Sequence, residues 1–185
     1  MKIYFITHPE VQVDPARPVP RWSLSEKGVA RMTKFAARGV LDDVAHIWSS
    51  GETKAIESAN ILAARLKLPV QIEEELHEND RSATGFLPPP EFEATADQFF
   101  AHPNESIRGW ERAVDAQGRI IGAVDRVIAA SPNGNVAIIA HGGVGTLLMC
   151  AHLRSPINRR FDQPHQGHYW CFTETRAALH QWKAI

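Results

Sequence analysis

The sequence is poor in cysteine, in long apolar runs and in net charge, and each shortage argues against a class of protein. Cys150 and Cys171 are its only cysteines, far apart and without a Cys-x-x-Cys pair. A disulfide framework or a cysteine zinc site is therefore not expected, and a reducing, cytoplasmic setting fits. No apolar stretch approaches the ~20 residues that a membrane helix needs. The opening run Met1–Ile6 stops at Thr7-His8-Pro9, too short for a signal-peptide core. Lys and Arg number 20 against 21 Asp and Glu, a formal charge of −1. Such a balance gives no electrostatic ground for a nucleic-acid or membrane partner. No repeat or low-complexity tract is present.

What remains is ordinary globular material. Of 185 residues, 44% are hydrophobic and 22% charged, enough for one domain with its own core. Residues 2–6 read as a buried strand ended by Pro9. The segment 10–23, with Pro15, Pro18 and Pro20, reads as a loop. Ser23 or Ser25 caps a helix over about 26–38 that stops at Gly39. A second strand at 44–48, a helix over about 53–67 and a short strand at 69–72 follow. Residues 79–90 end in three prolines and cannot form one regular element. Helices are expected at about 91–101 and 108–130. Val136–Ala140 is the clearest buried strand, running into His141-Gly142-Gly143 and a helix to about Leu153. Two strands close the chain, at 168–172 and 177–182. This alternation predicts a three-layer α/β/α sandwich with a mostly parallel sheet and an antiparallel edge. Residues 1–185 form a single domain, with 79–118 as a substrate-covering insertion.

Two histidines follow strands. In parallel α/β sheets the ligand crevice lies at the C-terminal ends of the strands, which makes His8 and His141 site candidates. Gly142 and Gly143 let the backbone approach a ligand, and free N–H groups at a helix start favour an anion. Lys54 lies in the first turn of its helix, where a cation opposes the helix dipole; a phosphate to hold would explain it, a solvated surface position equally so. Leu76-His77-Glu78-Asn79-Asp80-Arg81 is a polar cluster offering a carboxylate for acid–base work. Phe86, Phe92, Phe99, Phe100 and Trp110 suit either a hydrophobic substrate lid or helix packing, with packing favoured.

Taken in order, these segments resemble the histidine phosphatase superfamily, whose fold is that of phosphoglycerate mutase. Thr7-His8-Pro9 stands where the family has Arg-His-Gly. Leu24-Ser25-Glu26-Lys27-Gly28 matches a Leu-Ser/Thr-x-x-Gly helix start. Ser49-Ser50-Gly51-Glu52-Thr53-Lys54-Ala55 matches Ser-Ser-Pro-x-x-Arg-Ala, Leu76-His77-Glu78 matches Leu-x-Glu, and His141-Gly142 matches the closing His-Gly. The family's two phosphate-gripping arginines are thus replaced by Thr7 and Lys54, which supply fewer and less directional donors than a guanidinium fork.

The resemblance implies a mechanism without metal or other cofactor. Neutral His8 attacks phosphorus and becomes a phosphohistidine. Protonated His141, Lys54, Thr7 and backbone N–H groups around Gly142 hold the phosphoryl oxygens. Glu78 protonates the leaving oxygen and then assists water. Arg81 stands where it can replace a lost guanidinium; Arg21 reads as a surface residue. The partner implied is a phosphorylated small molecule or protein side chain. Hydrolysis of a phosphomonoester is the leading reading, and a degenerate member that binds a phosphorylated ligand without turnover is the alternative. A metallohydrolase built on His165 and His168 is disfavoured, because the segment lacks a carboxylate at helical spacing.

Overall fold

A computed structural model describing residues 1–185 turns the apolar runs into strands buried on both faces. The first run is β1 (Lys2–Thr7) and the run at 136–140 is β4 (Asn135–Ala140). Successive side chains on a strand point to opposite faces. Accordingly Tyr4, Ile6, Ala137 and Ile139 enter one core layer, and Ile3, Phe5, Val136 and Ile138 the other. A strand covered on both faces needs apolar residues at every position, which is why its sequence reads as a continuous run and not as an alternation.

The remaining strands are β2 (Val44–Ser49), β3 (Val70–Ile72), β5 (His168–Thr173) and β6 (Ala178–Ala184). They complete a six-stranded sheet in the order β3-β2-β4-β1-β5-β6. The first four run parallel, while β5 pairs antiparallel with β1 and β6 antiparallel with β5. Helices α1 (Glu26–Ala36) and α2 (Thr53–Leu66) cover one face through Met32, Phe35, Ala55, Ala59 and Leu62. Helices α4 (Ala113–Ala129) and α5 (Gly142–His152) cover the other through Ile120, Val124, Val127, Val144 and Leu148. The mixed sheet between two helical layers is the architecture expected from the sequence.

One topological detail positions the site. β1 and β4 are adjacent and parallel, yet β1 leads to α1 on one face and β4 to α5 on the other. Their connections part above the sheet and leave a crevice at their carboxyl ends.

The segment between β3 and α4 holds α3 (Pro89–Ala101) and a short 3-10 turn at Ile107–Gly109. Pro89 opens α3, since a proline at the first helical position forfeits no hydrogen bond there. The helix expected from residue 108 begins instead at Ala113, because Arg108 and Gly109 adopt left-handed backbone conformations, with φ of 53° and 82°, that end the turn. Phe99, Phe100 and Trp110 bury themselves with Leu87, Ala113, Ala116 and Leu147 in a third apolar cluster. Most of the aromatic residues of this segment therefore serve packing. Phe86 is the exception, partly exposed and 5.5 Å from the Trp22 ring across the crevice-side loops.

Candidate active site

The register that pairs Thr7 with Ala140 carries one residue further, to His8 and His141. The His8 N–H donates to the Ala140 carbonyl at 3.2 Å, and the Ser50 N–H donates to the Ile139 carbonyl at 3.0 Å. The ends of β1, β4 and β2 are thus laced together. The His8 and His141 rings meet edge to face with centroids 5.3 Å apart. His141 is fully buried and His8 is partly open.

The loop after His8 is fixed by the Leu-Ser-x-x-Gly segment. Ser25 caps α1 by accepting from the Gly28 N–H at 3.1 Å, and its own N–H donates to the Glu10 carbonyl at 2.9 Å. A Cβ at position 28 would lie 2.1 Å from that same carbonyl oxygen, so glycine permits the close approach.

Both imidazoles are neutral at pH 7. Burial, with the neighbouring His141 and Lys54, pushes His8 down to about 3. Burial pushes His141 down to about 4, against the pull of Glu52. Burial thus works against the protonated His141 expected from the sequence, and Glu52 works for it. A proton on His8 is fixed at Nδ1, which lies 2.8 Å from the Pro9 carbonyl, an acceptor only. That tautomer leaves a lone pair on Nε2. His141 Nε2 lies 2.9 Å from Ser50 Oγ and 3.4 Å from Glu52 Oε1.

Glu78 lies at the start of α5. Its carboxylate accepts from the Gly143 and Val144 N–H groups, each at 3.0 Å, and from the Asn79 N–H at 3.1 Å. Arg81 Nη2 is 3.3 Å away. Burial alone would raise this carboxyl, but the Arg81 guanidinium and the Gly143 N–H hold it below the usual carboxylate range. The helix start expected to receive phosphate is thus filled by the chain's own carboxylate. A Cβ on Gly143 would stand 2.7 Å from Glu78 Oε1, which explains the second glycine of the motif.

The two residues in place of arginine have other partners. The Thr7 hydroxyl donates to Gln163 Oε1 at 2.6 Å and accepts from the His168 N–H at 2.9 Å. Lys54, buried, forms an ion pair with Glu52 and donates to the Val19 carbonyl at 2.9 Å. Arg81 lies over the Phe92 and Trp110 rings, 5.1 and 5.4 Å from their centroids, which brings a guanidinium to Glu78. Arg21 is exposed. Gly142 packs against Gln163, whose amide would lie 2.4 Å from an added Cβ. The His165 and His168 rings meet edge to face with centroids 4.5 Å apart, and no group of three or more His, Cys, Asp or Glu side chains is placed to hold a metal ion.

Glu52 is the site residue that sequence reasoning missed. Its Oε1 accepts from the Glu78 N–H at 2.9 Å, and the Lys54 ammonium keeps its carboxylate ionised despite burial. The available signal was an acid two residues before a lysine in a helix's first turn. Residues two apart do not face each other on a helix, but Glu52 caps α2 from an extended conformation and so turns toward Lys54. Gln163, joined to Thr7, had no signal in the sequence at all.

A sheet whose switch point holds two facing imidazoles and a carboxylate defines a class, the phosphoric monoester hydrolases of histidine type. The chain belongs to the histidine phosphatase superfamily (branch 1), whose sequence pattern matches residues 3–184. Solved structures share its fold. A mycobacterial glucosyl-3-phosphoglycerate phosphatase bound to vanadate is 20% identical, with TM-score 0.82 over 100% of this chain and 99% of that one. YhfR of Bacillus stearothermophilus is 22% identical, with TM-score 0.81 over 97% and 94%. A phosphoserine phosphatase of Entamoeba histolytica, in complex with 3-phosphoglyceric acid, is 13% identical, with TM-score 0.78 over 99% and 97%. No protein of curated function matches the chain in sequence. No helix is long and apolar enough to cross a membrane.

Proposed function

We propose that the protein hydrolyses a phosphomonoester through a phosphohistidine on His8. The observation that carries this reading is the His8 ring, with Nδ1 held 2.8 Å from the Pro9 carbonyl, edge-on to a buried His141. In the first step His8 Nε2 bonds to phosphorus as the ester P–O bond breaks, and the leaving oxygen takes a proton from Glu78. In the second, Glu78 takes a proton from water, the water oxygen bonds to phosphorus, and the P–N bond breaks to release phosphate and neutral His8. Arg81 and the His141 ring flank the phosphoryl oxygens, and Lys54 adds its charge from within its pair with Glu52. These steps require no metal. Small phosphorylated metabolites fit better than large ones, because structural neighbours act on glucosyl-3-phosphoglycerate and phosphoserine. The segment 79–118, which supplies Arg81 and its aromatic bed, is the substrate-covering part of a single domain.

One observation favours the alternative of binding without turnover: Thr7 and Lys54 stand in place of the family's two arginines, so fewer donors are available to the transferring phosphoryl oxygens. Steady-state hydrolysis of a panel of phosphomonoesters by the wild type and by His8→Ala separates the two. Turnover abolished in a folded His8→Ala protein supports the enzyme. A wild type that binds phosphate but hydrolyses nothing on the panel supports the binder.

A further inference from the structure

The deepest cation in the crevice is not free. Lys54 enters from the first turn of α2, with its side chain 5% exposed, and meets the Glu52 carboxylate, 9% exposed. A second donor of its ammonium goes to the Val19 carbonyl. Glu52 also spans to the rest of the site, through the Glu78 N–H at 2.9 Å and His141 Nε2 at 3.4 Å. With neutral imidazoles, the charged groups are Lys54, Glu52, Arg81 and Glu78, two of each sign. A phosphoryl group brings up to two negative charges, and phosphoryl transfer depends on cations around its oxygens. Here the carboxylate beside Lys54 repels that same group, in a place where water screens little.

We infer that Glu52 is a positioning residue that sets the charge of the crevice: by holding Lys54 it withholds that ammonium from phosphate and keeps affinity for phosphate low. The inference rests on the proposed phosphate-binding function of the same site. It assigns to Glu52 a restraint, so its removal should give a gain. Merely structural roles do not predict gains.

The test is the affinity of the full-length protein for inorganic phosphate and for vanadate, by titration calorimetry at pH 7, in the wild type, Glu52→Gln, Lys54→Met and the double variant. The glutamine keeps the acceptor for the Glu78 N–H and removes only the charge. Glu52→Gln should bind phosphate tighter by about tenfold or more, and the gain should vanish when Lys54→Met is added. Lys54→Met alone, which leaves Glu52 unpaired, should bind more weakly than the wild type. Glu52→Leu, which also frees Lys54, should show the same gain and serves if the amide variant does not fold. Phosphate binding by the wild type with unchanged or weaker affinity in folded Glu52 variants overturns the inference while leaving the phosphatase reading intact. A gain that survives in the double variant overturns it too, since Lys54 would not carry it. Absence of phosphate binding in every variant overturns both.

Discussion

Glu78 carries two loads that can be separated by experiment. Its carboxylate closes the start of α5 with two backbone N–H bonds and pairs with Arg81, and the proposed chemistry needs the same carboxyl as a proton donor. Glu78→Ala leaves the Gly143 and Val144 N–H groups in a buried place without their acceptor. A lost cap costs ~1–2 kcal/mol, and loss of the charge facing the helix dipole adds ~1. The sum is about 2–3 kcal/mol, or roughly 5–10 °C in Tm for a chain of this size. The pH dependence has a definite sign. The folded carboxyl is held below its ordinary value. Its stabilising contribution is therefore present above the unfolded value of ~4.3 and lost as pH falls through the folded one. Thermal unfolding followed by circular dichroism should show a gap between wild type and Glu78→Ala at pH 7 that narrows in acid. Hydrolysis should separate the second load. An alkyl phosphomonoester, whose leaving oxygen needs a proton, should lose ~100-fold or more in Glu78→Gln. 4-Nitrophenyl phosphate, whose leaving group departs without one, should lose much less. Equal losses on both esters would remove Glu78 from the acid role. Melting curves that coincide at pH 7 would remove it from the helix start.

Three other outcomes follow from the geometry. Lys54→Met strands the Glu52 carboxylate in the interior and should cost about 3–5 kcal/mol, whereas Arg176→Met, which breaks an exposed pair with Asp125, should cost under ~1 kcal/mol; denaturant unfolding at pH 7 compares them. Gly28→Ala forces a Cβ onto the Glu10 carbonyl and should destabilise by roughly 1–3 kcal/mol, whereas Gly118→Ala, in α4 with open space around it, should be neutral or stabilising by up to ~1 kcal/mol, in the same unfolding assay. The kcat/KM for a phosphomonoester should fall from pH 5 to pH 8, because His8 is neutral well below pH 5 while a proton on Glu78 becomes rarer as pH rises; a profile rising over that range would contradict the assignments.

The parts legible in the sequence are those where one physical demand dominates. Val136–Ala140 reads as a strand because both its faces are covered, and His141 reads as a site residue because it leaves that strand beside two glycines. The Pro88–Pro90 run was harder, since proline breaks a helix inside but opens one at its first position. The start of α4 is set by left-handed backbone at Arg108 and Gly109, and only the glycine announces that. Within the site, residue identities were legible and their partners were not. Lys54 reads as a phosphate donor until Glu52 is seen to claim it, and Thr7 as a substitute donor until Gln163 and the His168 N–H are seen to engage it. Such pairings depend on how loops 156 residues apart come together, which no local pattern encodes.

In the proposed mechanism His8 forms a covalent bond to phosphorus. The most direct measurement is a rapid alkaline quench during the first turnover of a phosphomonoester labelled in its phosphoryl group, followed by peptide mapping. A phosphoryl group on His8, stable in alkali, labile in acid and absent from His8→Ala, is the predicted result. Turnover with no label on His8, or label that persists in His8→Ala, would contradict it.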